Sequence, residues 1–173
     1  MTNPPLPLYI RSQVERSGSL WRELEMALFR GQYNHTIDDK GRIILPAKYR
    51  EIFAEKYDNQ LVITNWDGYL IVFPFKEWNV IEEKMAQQSI LKKEVRAFNR
   101  FFMSAAVHCV LDSQGRVLIP QNLREYAHLD KDVVLAGMLK SIEIWDKERF
   151  DTEMNDTGSN LESYEKCMVD LGI

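Results

Sequence analysis

Two arginines in this chain stand four residues after an aspartate and directly after a glycine: Asp38-x-x-Gly41-Arg42 and Asp112-x-x-Gly115-Arg116. A guanidinium is planar and always charged, and its fork of N–H donors matches phosphate oxygens and the O6/N7 edge of guanine. A nearby carboxylate is an acceptor that can hold such a fork in one orientation. Asp38 and Asp112 are therefore candidate orienting groups, and Arg42 and Arg116 candidate contacts to nucleic acid. The plainer alternative is an Asp–Arg pair that only closes a turn, with Gly41 and Gly115 supplying the geometry; both readings stand at this point.

Further polar residues flank these motifs. Lys40 and Gln114 hold equivalent turn-tip positions, where each is either a phosphate or base contact or a plain solvated side chain. Arg30 precedes the first expected strand and suits a phosphate contact or a pair across a subunit interface. Arg50 and Arg124 recur beside Glu51 and Glu125. Helix-end charge or pairing between subunits is the better reading for these two.

The motifs belong to longer units. Residues 38–53 and 112–127 match at 6 of 16 positions, and the three positions after each arginine exchange one branched aliphatic for another. Chance gives about one identity in such a window, so the chain carries an internal duplication. Gly41 and Gly115 sit where a hairpin turn needs a positive backbone angle. Pro46 and Pro120 fit the first turn of a short helix. That helix presents Tyr49, Ile52 and Phe53 in the first unit and Leu123 and Tyr126 in the second. The apolar runs 61–64 and 69–74 read as strands, as do 133–136 and 141–146. Trp78 and Phe150 follow at matching places.

Between the units, residues 76–103 repeat Trp78, Ile81, Met85, Leu91, Val95, Phe98 and Phe102 at helical steps, which predicts a helix or a helix pair. After Phe150 the pattern breaks at Gly158-Ser159-Asn160, which predicts a short helix and then a mobile acidic tail. Residues 1–27 match nothing in the second unit. Pro4, Pro5 and Pro7 mark a disordered arm, and 13–27 suits a helix with Leu20, Trp21, Leu24 and Leu28 on one side.

Composition narrows the classes of function. The chain has 173 residues, 45% hydrophobic and 28% charged, which suits a folded domain or two intertwined halves. No run of apolar residues is long enough for a membrane helix, and Cys109 and Cys167 lack metal or redox spacing, so a reduced cytoplasmic setting is expected. The net charge of −4 argues mildly against general nucleic-acid binding. It conceals a gradient, however: residues 28–50 carry five bases and two acids, 92–124 six bases and two acids, and 143–173 nine acids and three bases. Positive charge thus gathers around the duplicated motif. His35, His108 and His128 form no ligand set, Asp38-Asp39 is a poor metal pair, and no Gly-rich phosphate loop occurs. An enzyme, a metal site and a cofactor are therefore not expected.

Leu28-Phe29-Arg30-Gly31, followed by the two Asp-x-x-Gly-Arg-x-x-x-Pro motifs, resembles the MraZ family of bacterial transcriptional regulators, which carry two AbrB-like units marked by Asp-x-x-x-Arg. The resemblance covers residues 28 to about 170. It implies a mainly β fold with short helices (α+β), a pseudo-two-fold AbrB-like barrel of swapped hairpins. It also implies that copies assemble as a ring-shaped homo-oligomer. The implied partner is double-stranded DNA, as direct repeats in the promoter of the division and cell-wall gene cluster, met in the cytoplasm and on the nucleoid.

The expected organisation is an N-terminal extension over 1–27, a first AbrB-like repeat over 32–76 and a helical connector over 77–104. A second repeat over 105–148 and a C-terminal helix with acidic tail over 149–173 complete it. Family members begin near Leu28, so the first 27 residues suit either an unrelated extension or an upstream start. The competing reading is an AbrB-like scaffold or antitoxin-type interaction module, which the acidic tail keeps open. The basic first turn, with Lys40, is expected to bring more charge to DNA than the second, with Gln114.

Overall fold

The computed structural model describes residues 28–159 and 161–170, so the expected arm and helix over 1–27 lie outside the described residues. Within each duplicated window the local chemistry works as its residues dictate. Gly41 and Gly115 adopt φ of 79° and 73°, a left-handed conformation that costs glycine nothing. Pro46 and Pro120 stand one position before the first helical residue, with φ near the ring-locked value and ψ of 144° in both. The Pro46 carbonyl accepts the N–H groups of Tyr49 and Arg50, and the Pro120 carbonyl those of Leu123 and Arg124. The missing proline N–H therefore lies outside the helix.

The first half runs β1 (Gln32–Thr36), β2 (Arg42–Ile44), α1 (Ala47–Lys56), β3 (Gln60–Trp66) and β4 (Tyr69–Pro74). The connector holds α2 (Phe75–Ala86), α3 (Lys93–Phe98) and a π-helical turn (Asn99–Met103), closed by the Ser104 N–H donating to the Asn99 carbonyl at 3.0 Å. The second half runs β5 (Val107–Val110), β6 (Arg116–Leu118), α4 (Gln121–Tyr126), β7 (Asp132–Gly137), β8 (Ile142–Asp146) and α5 (Lys147–Ser159). A further helix, α6, spans Leu161–Asp170. The pattern break at 158–160 falls where α5 ends at Ser159, and residues 161–170, expected as a mobile tail, form a separate helix.

Six strands form one antiparallel sheet in the order β1-β7-β8-β4-β3-β5, and β2 pairs with β6 as a separate two-stranded ribbon. The mixed α+β content matches the expectation, but the swapped-hairpin barrel does not: neither sheet closes on itself, and β1 and β5 remain the two edges of the larger one. The physical reason lies in the two glycine turns. They leave each short strand tied only briefly to the chain before the turn, by the Ile37–Ile43 bridge and the Asp38 N–H to the Arg42 carbonyl in the first half, and the ladder of β2 forms with β6.

Pairing across the halves is extensive. β1 pairs with β7 (Asn34 opposite Val134), β5 with β3 (Cys109 opposite Leu61), and β2 with β6. The main core fills the space between sheet, ribbon and helices. Ile43 and Val117 enter it from the ribbon, Tyr49, Phe53 and Leu123 from the helices, and Leu61, Ile63, Leu135 and Ile144 from the sheet. A smaller cluster joins Trp78 and Phe102 of the connector to Val62. There the buried Thr64 hydroxyl donates to the Phe102 carbonyl at 2.6 Å, which offsets the cost of burying both groups.

Candidate nucleic-acid interface

The two Asp-x-x-Gly-Arg turns are built alike, bond for bond. In the first, the backbone N–H groups of Lys40 and Arg42 both donate to Asp38 Oδ1 at 2.9 Å. Arg42 Nε donates to Asp38 Oδ2 at 2.8 Å, with Nη2 at 2.7 Å from the same oxygen. In the second, Gln114 and Arg116 N–H donate to Asp112 Oδ1 at 2.9 Å, and Arg116 Nε donates to Oδ2 at 2.7 Å. Each aspartate thus closes its turn through the backbone and orients its arginine through the side chain. The two roles weighed for it coexist.

These bonds favour the charged carboxylate. Asp38 is held down to about 2, first by the Arg42 side chain and then by backbone donors. Asp112 is also lowered, chiefly by the Arg116 N–H. A guanidinium has five N–H donors, and Asp38 takes one edge of Arg42. The other edge keeps donors for a second acceptor, and the side chain is 30% exposed.

The ribbon places both arginines on one face. Arg42 lies opposite Leu118, Ile43 opposite Val117, and Ile44 opposite Arg116. Ile43 and Val117 point inward and are fully covered, so alternation turns Arg42, Ile44, Arg116 and Leu118 outward. Arg42 and Arg116 are therefore diagonal neighbours on the ribbon, about 7–8 Å apart. The aspartate beside each arginine offsets part of its charge.

The turns are braced crosswise. The Leu45 N–H donates to the Gly115 carbonyl at 3.0 Å, and the Ile119 N–H to the Gly41 carbonyl at 2.9 Å. Arg50 and Arg124 complete the brace. Their Nε atoms donate to the Leu45 and Ile119 carbonyls at 3.1 Å, while the Arg50 stem lies over Gly115 and the Arg124 guanidinium over Gly41. Within the chain each ties its own helix to the preceding strand and covers the other half's turn. Their recurrence in both windows was the available signal. What they touch depended on pairing between halves.

The remaining candidates separate from this cluster. Lys40 and Gln114 are exposed at the two turn tips. Arg30 is exposed at the far end of β1, about 20 Å along the strand from the Asp38 turn. Its carbonyl lies near the Tyr49 hydroxyl, which donates to the Gly31 carbonyl at 2.9 Å. His108 contacts Gln60 at 3.2 Å and packs edge-on against Phe75. Burial pushes the Cys109 thiol up to about 11, which makes it a poor nucleophile. No cluster of metal-ligating side chains occurs among the described residues. No helix among them is long and apolar enough to cross a membrane.

A groove beside β8 and α5 is of the opposite sign. Asp67, Glu143, Asp146, Glu148 and Glu153 line it, over a floor where Tyr69 stacks on Trp145 at 4.2 Å. Such a groove repels a phosphate backbone.

Comparison with known proteins agrees with a duplicated small regulator. Residues 28–101 and 102–170 each match the family model described as "MraZ protein, putative antitoxin-like". Curated relatives named "Transcriptional regulator MraZ" include one from Thermoanaerobacter sp. (strain X514), 45% identical over 143 residues, spanning 83% of this chain and 98% of the relative. That of Caldicellulosiruptor saccharolyticus is 44% identical over 143 residues, with the same coverage of 83% and 98%. That of Natranaerobius thermophilus is 42% identical over 146 residues, spanning 84% of this chain and 100% of its own. The chain belongs to the MraZ family of transcriptional regulators.

Proposed function

We propose that this protein regulates transcription by gripping double-stranded DNA with the outer face of the β2–β6 ribbon. The observation that carries this reading is the pair of aspartate-held arginines, Arg42 and Arg116, set diagonally on one outward face. Phosphate contacts supply affinity through counterion release, and a guanidinium fork adds selectivity for guanine. Lys40 adds a cation at one turn tip and Gln114 a neutral donor and acceptor at the other.

The proposed target is the set of direct repeats in the promoter of the division and cell-wall gene cluster, met on the nucleoid. One copy brings few basic contacts and a net charge of −4. A ring of copies on repeated sites compensates, because linked binding exceeds each single affinity by orders of magnitude.

The test is a gel shift with DNA from upstream of the protein's own operon. Binding is lost in Arg42→Ala/Arg116→Ala while assembly mass is unchanged. Undiminished binding by that double variant sinks the ribbon assignment. A second reading, an antitoxin-type interaction module, draws on the acidic C-terminal helices, where Met154, Tyr164, Met168 and Val169 are exposed. It gains if the wild type fails to shift the upstream DNA.

A further inference from the structure

The outward face of the ribbon holds two aliphatic side chains as well as two arginines. Ile44 is 47% exposed and Leu118 is 54% exposed. They occupy the other diagonal of the same four-residue square: Arg42 faces Leu118 across the strands, and Ile44 faces Arg116. Each cross-strand pair therefore couples one cation with one aliphatic group, and the ribbon's local two-fold exchanges the pairs. Lone exposed leucines are common on soluble proteins. Two exposed aliphatics interleaved with the two arginines of the candidate interface are a patterned surface, and the pattern is written twice in the sequence.

Resting on the DNA reading above, we infer that Ile44 and Leu118 are specificity residues that contact the C5-methyl groups of thymine in the major groove. Three physical points lead there. The major groove, about 12 Å wide, admits a two-stranded β-ribbon. Flanking arginines bring the ribbon to a polyanion, so the occupant of the aliphatic diagonal is an apolar group embedded in that polyanion. The thymine methyl is the apolar group that base pairs display in the major groove, and aliphatic side chains are its usual contacts.

Spacing is consistent with this. Side chains two apart on a strand are separated by about 6.6 Å, close to two base-pair steps of about 3.4 Å. Arg42 and Ile44 thus suit a guanine and a thymine within two steps of each other, and Arg116 and Leu118 repeat the arrangement on the partner strand.

The test uses the full chain and the upstream DNA of its own operon, amplified once with thymidine and once with deoxyuridine triphosphate. The two duplexes carry the same backbone charge and base pairing and differ by the methyl groups. Removing a buried methyl weakens binding about fourfold, and two such contacts about fifteenfold. Wild type is expected to bind the deoxyuridine duplex about tenfold more weakly, and Ile44→Ser/Leu118→Ser to bind both duplexes alike.

Equal binding of the two duplexes by wild type overturns the inference and leaves the DNA reading intact. A deoxyuridine penalty that persists undiminished in the serine variant also overturns it, because the penalty then comes from DNA stiffness. A serine variant whose assembly falls apart, alongside a wild type indifferent to the methyls, assigns the pair to contact between copies. If wild type shifts neither duplex, the DNA reading itself has failed and this inference falls with it.

Discussion

Gly115 lies beneath the side chain of Arg50, so close that a Cβ on the glycine would overlap Arg50 Cδ. Arg50 belongs to the first half and Gly115 to the second. The counterpart, Gly41 beneath Arg124, is looser, with a Cβ meeting the guanidinium at 2.9 Å.

This contact predicts an asymmetric response to alanine. Both arginines are anchored alike by an Nε bond and both glycines have a positive φ, so the difference lies in the overlap, which is with the Arg50 stem at Gly115 and with the Arg124 guanidinium at Gly41. Gly115→Ala is expected to cost about 2–3 kcal/mol, and Gly41→Ala, where the flexible end of Arg124 can yield, about 1 kcal/mol. Urea melts of both variants measure the order. Arg50→Ala combined with Gly115→Ala recovers part of the loss, because the overlap goes and only the backbone strain remains.

Acid should loosen the first turn. Asp38 is held at about 2 in the folded chain against an ordinary value of 3.8. The unfolded chain therefore binds more protons between those values. The stabilisation is present in full above the ordinary value and is lost as pH falls through the folded one. Asp38→Asn keeps an acceptor for the backbone N–H groups and removes the charge, so its urea midpoint should change less between pH 4 and pH 2 than that of wild type. An equal acid dependence in both proteins would show that the Arg42 pair contributes nothing to it.

The two turn tips should differ in their salt response. Lys40→Gln removes a cation beside Arg42 and is expected to reduce the slope of log affinity against log salt by about 1 for each copy engaged. Gln114→Ala removes no charge and should leave that slope unchanged. Arg42→Ala and Arg116→Ala are each expected to weaken binding about tenfold or more at fixed salt. Titrations at several salt concentrations separate these effects.

Tyr49 provides a control remote from the ribbon. Its hydroxyl is covered and donates to the Gly31 carbonyl at 2.9 Å, pinning α1 to the start of β1. Tyr49→Phe removes one of the two donors to that carbonyl, which keeps the Gly137 N–H at 2.9 Å, and should cost about 1 kcal/mol of stability, with no change in DNA affinity. A fall in affinity would mean that the β1 end, with Arg30, is part of the binding surface.

Much of the local structure could be read from residue types. Turn glycines, helix-starting prolines and the apolar runs of β3, β4, β7 and β8 carry their conformations in a few neighbouring residues, and all lie within two residues of where those signals put them. The Asp–Arg pairs were legible for the same reason. What could not be read was which strand lies beside which. β2 and β6 are three residues each, too short for a periodic signal, and Ile44 pairs with Arg116 across a long stretch of chain. The barrel expectation failed at this level, and the contacts of Arg50 and Arg124 were hidden for the same reason, since they exist only once the halves cross.

The crosswise brace has a consequence for how the duplication can be altered. Each arginine that faces outward stands on a turn roofed by a helix from the other half. Under the proposed DNA reading neither half owns a complete reading head, so cutting the chain between them should yield two fragments that each lack a lid rather than one weak binder apiece. Two proteins that met by diffusion would lose such a head on dilution. Here the tether keeps both parts together at any concentration, and the pair of fingers is inherited as a single hand.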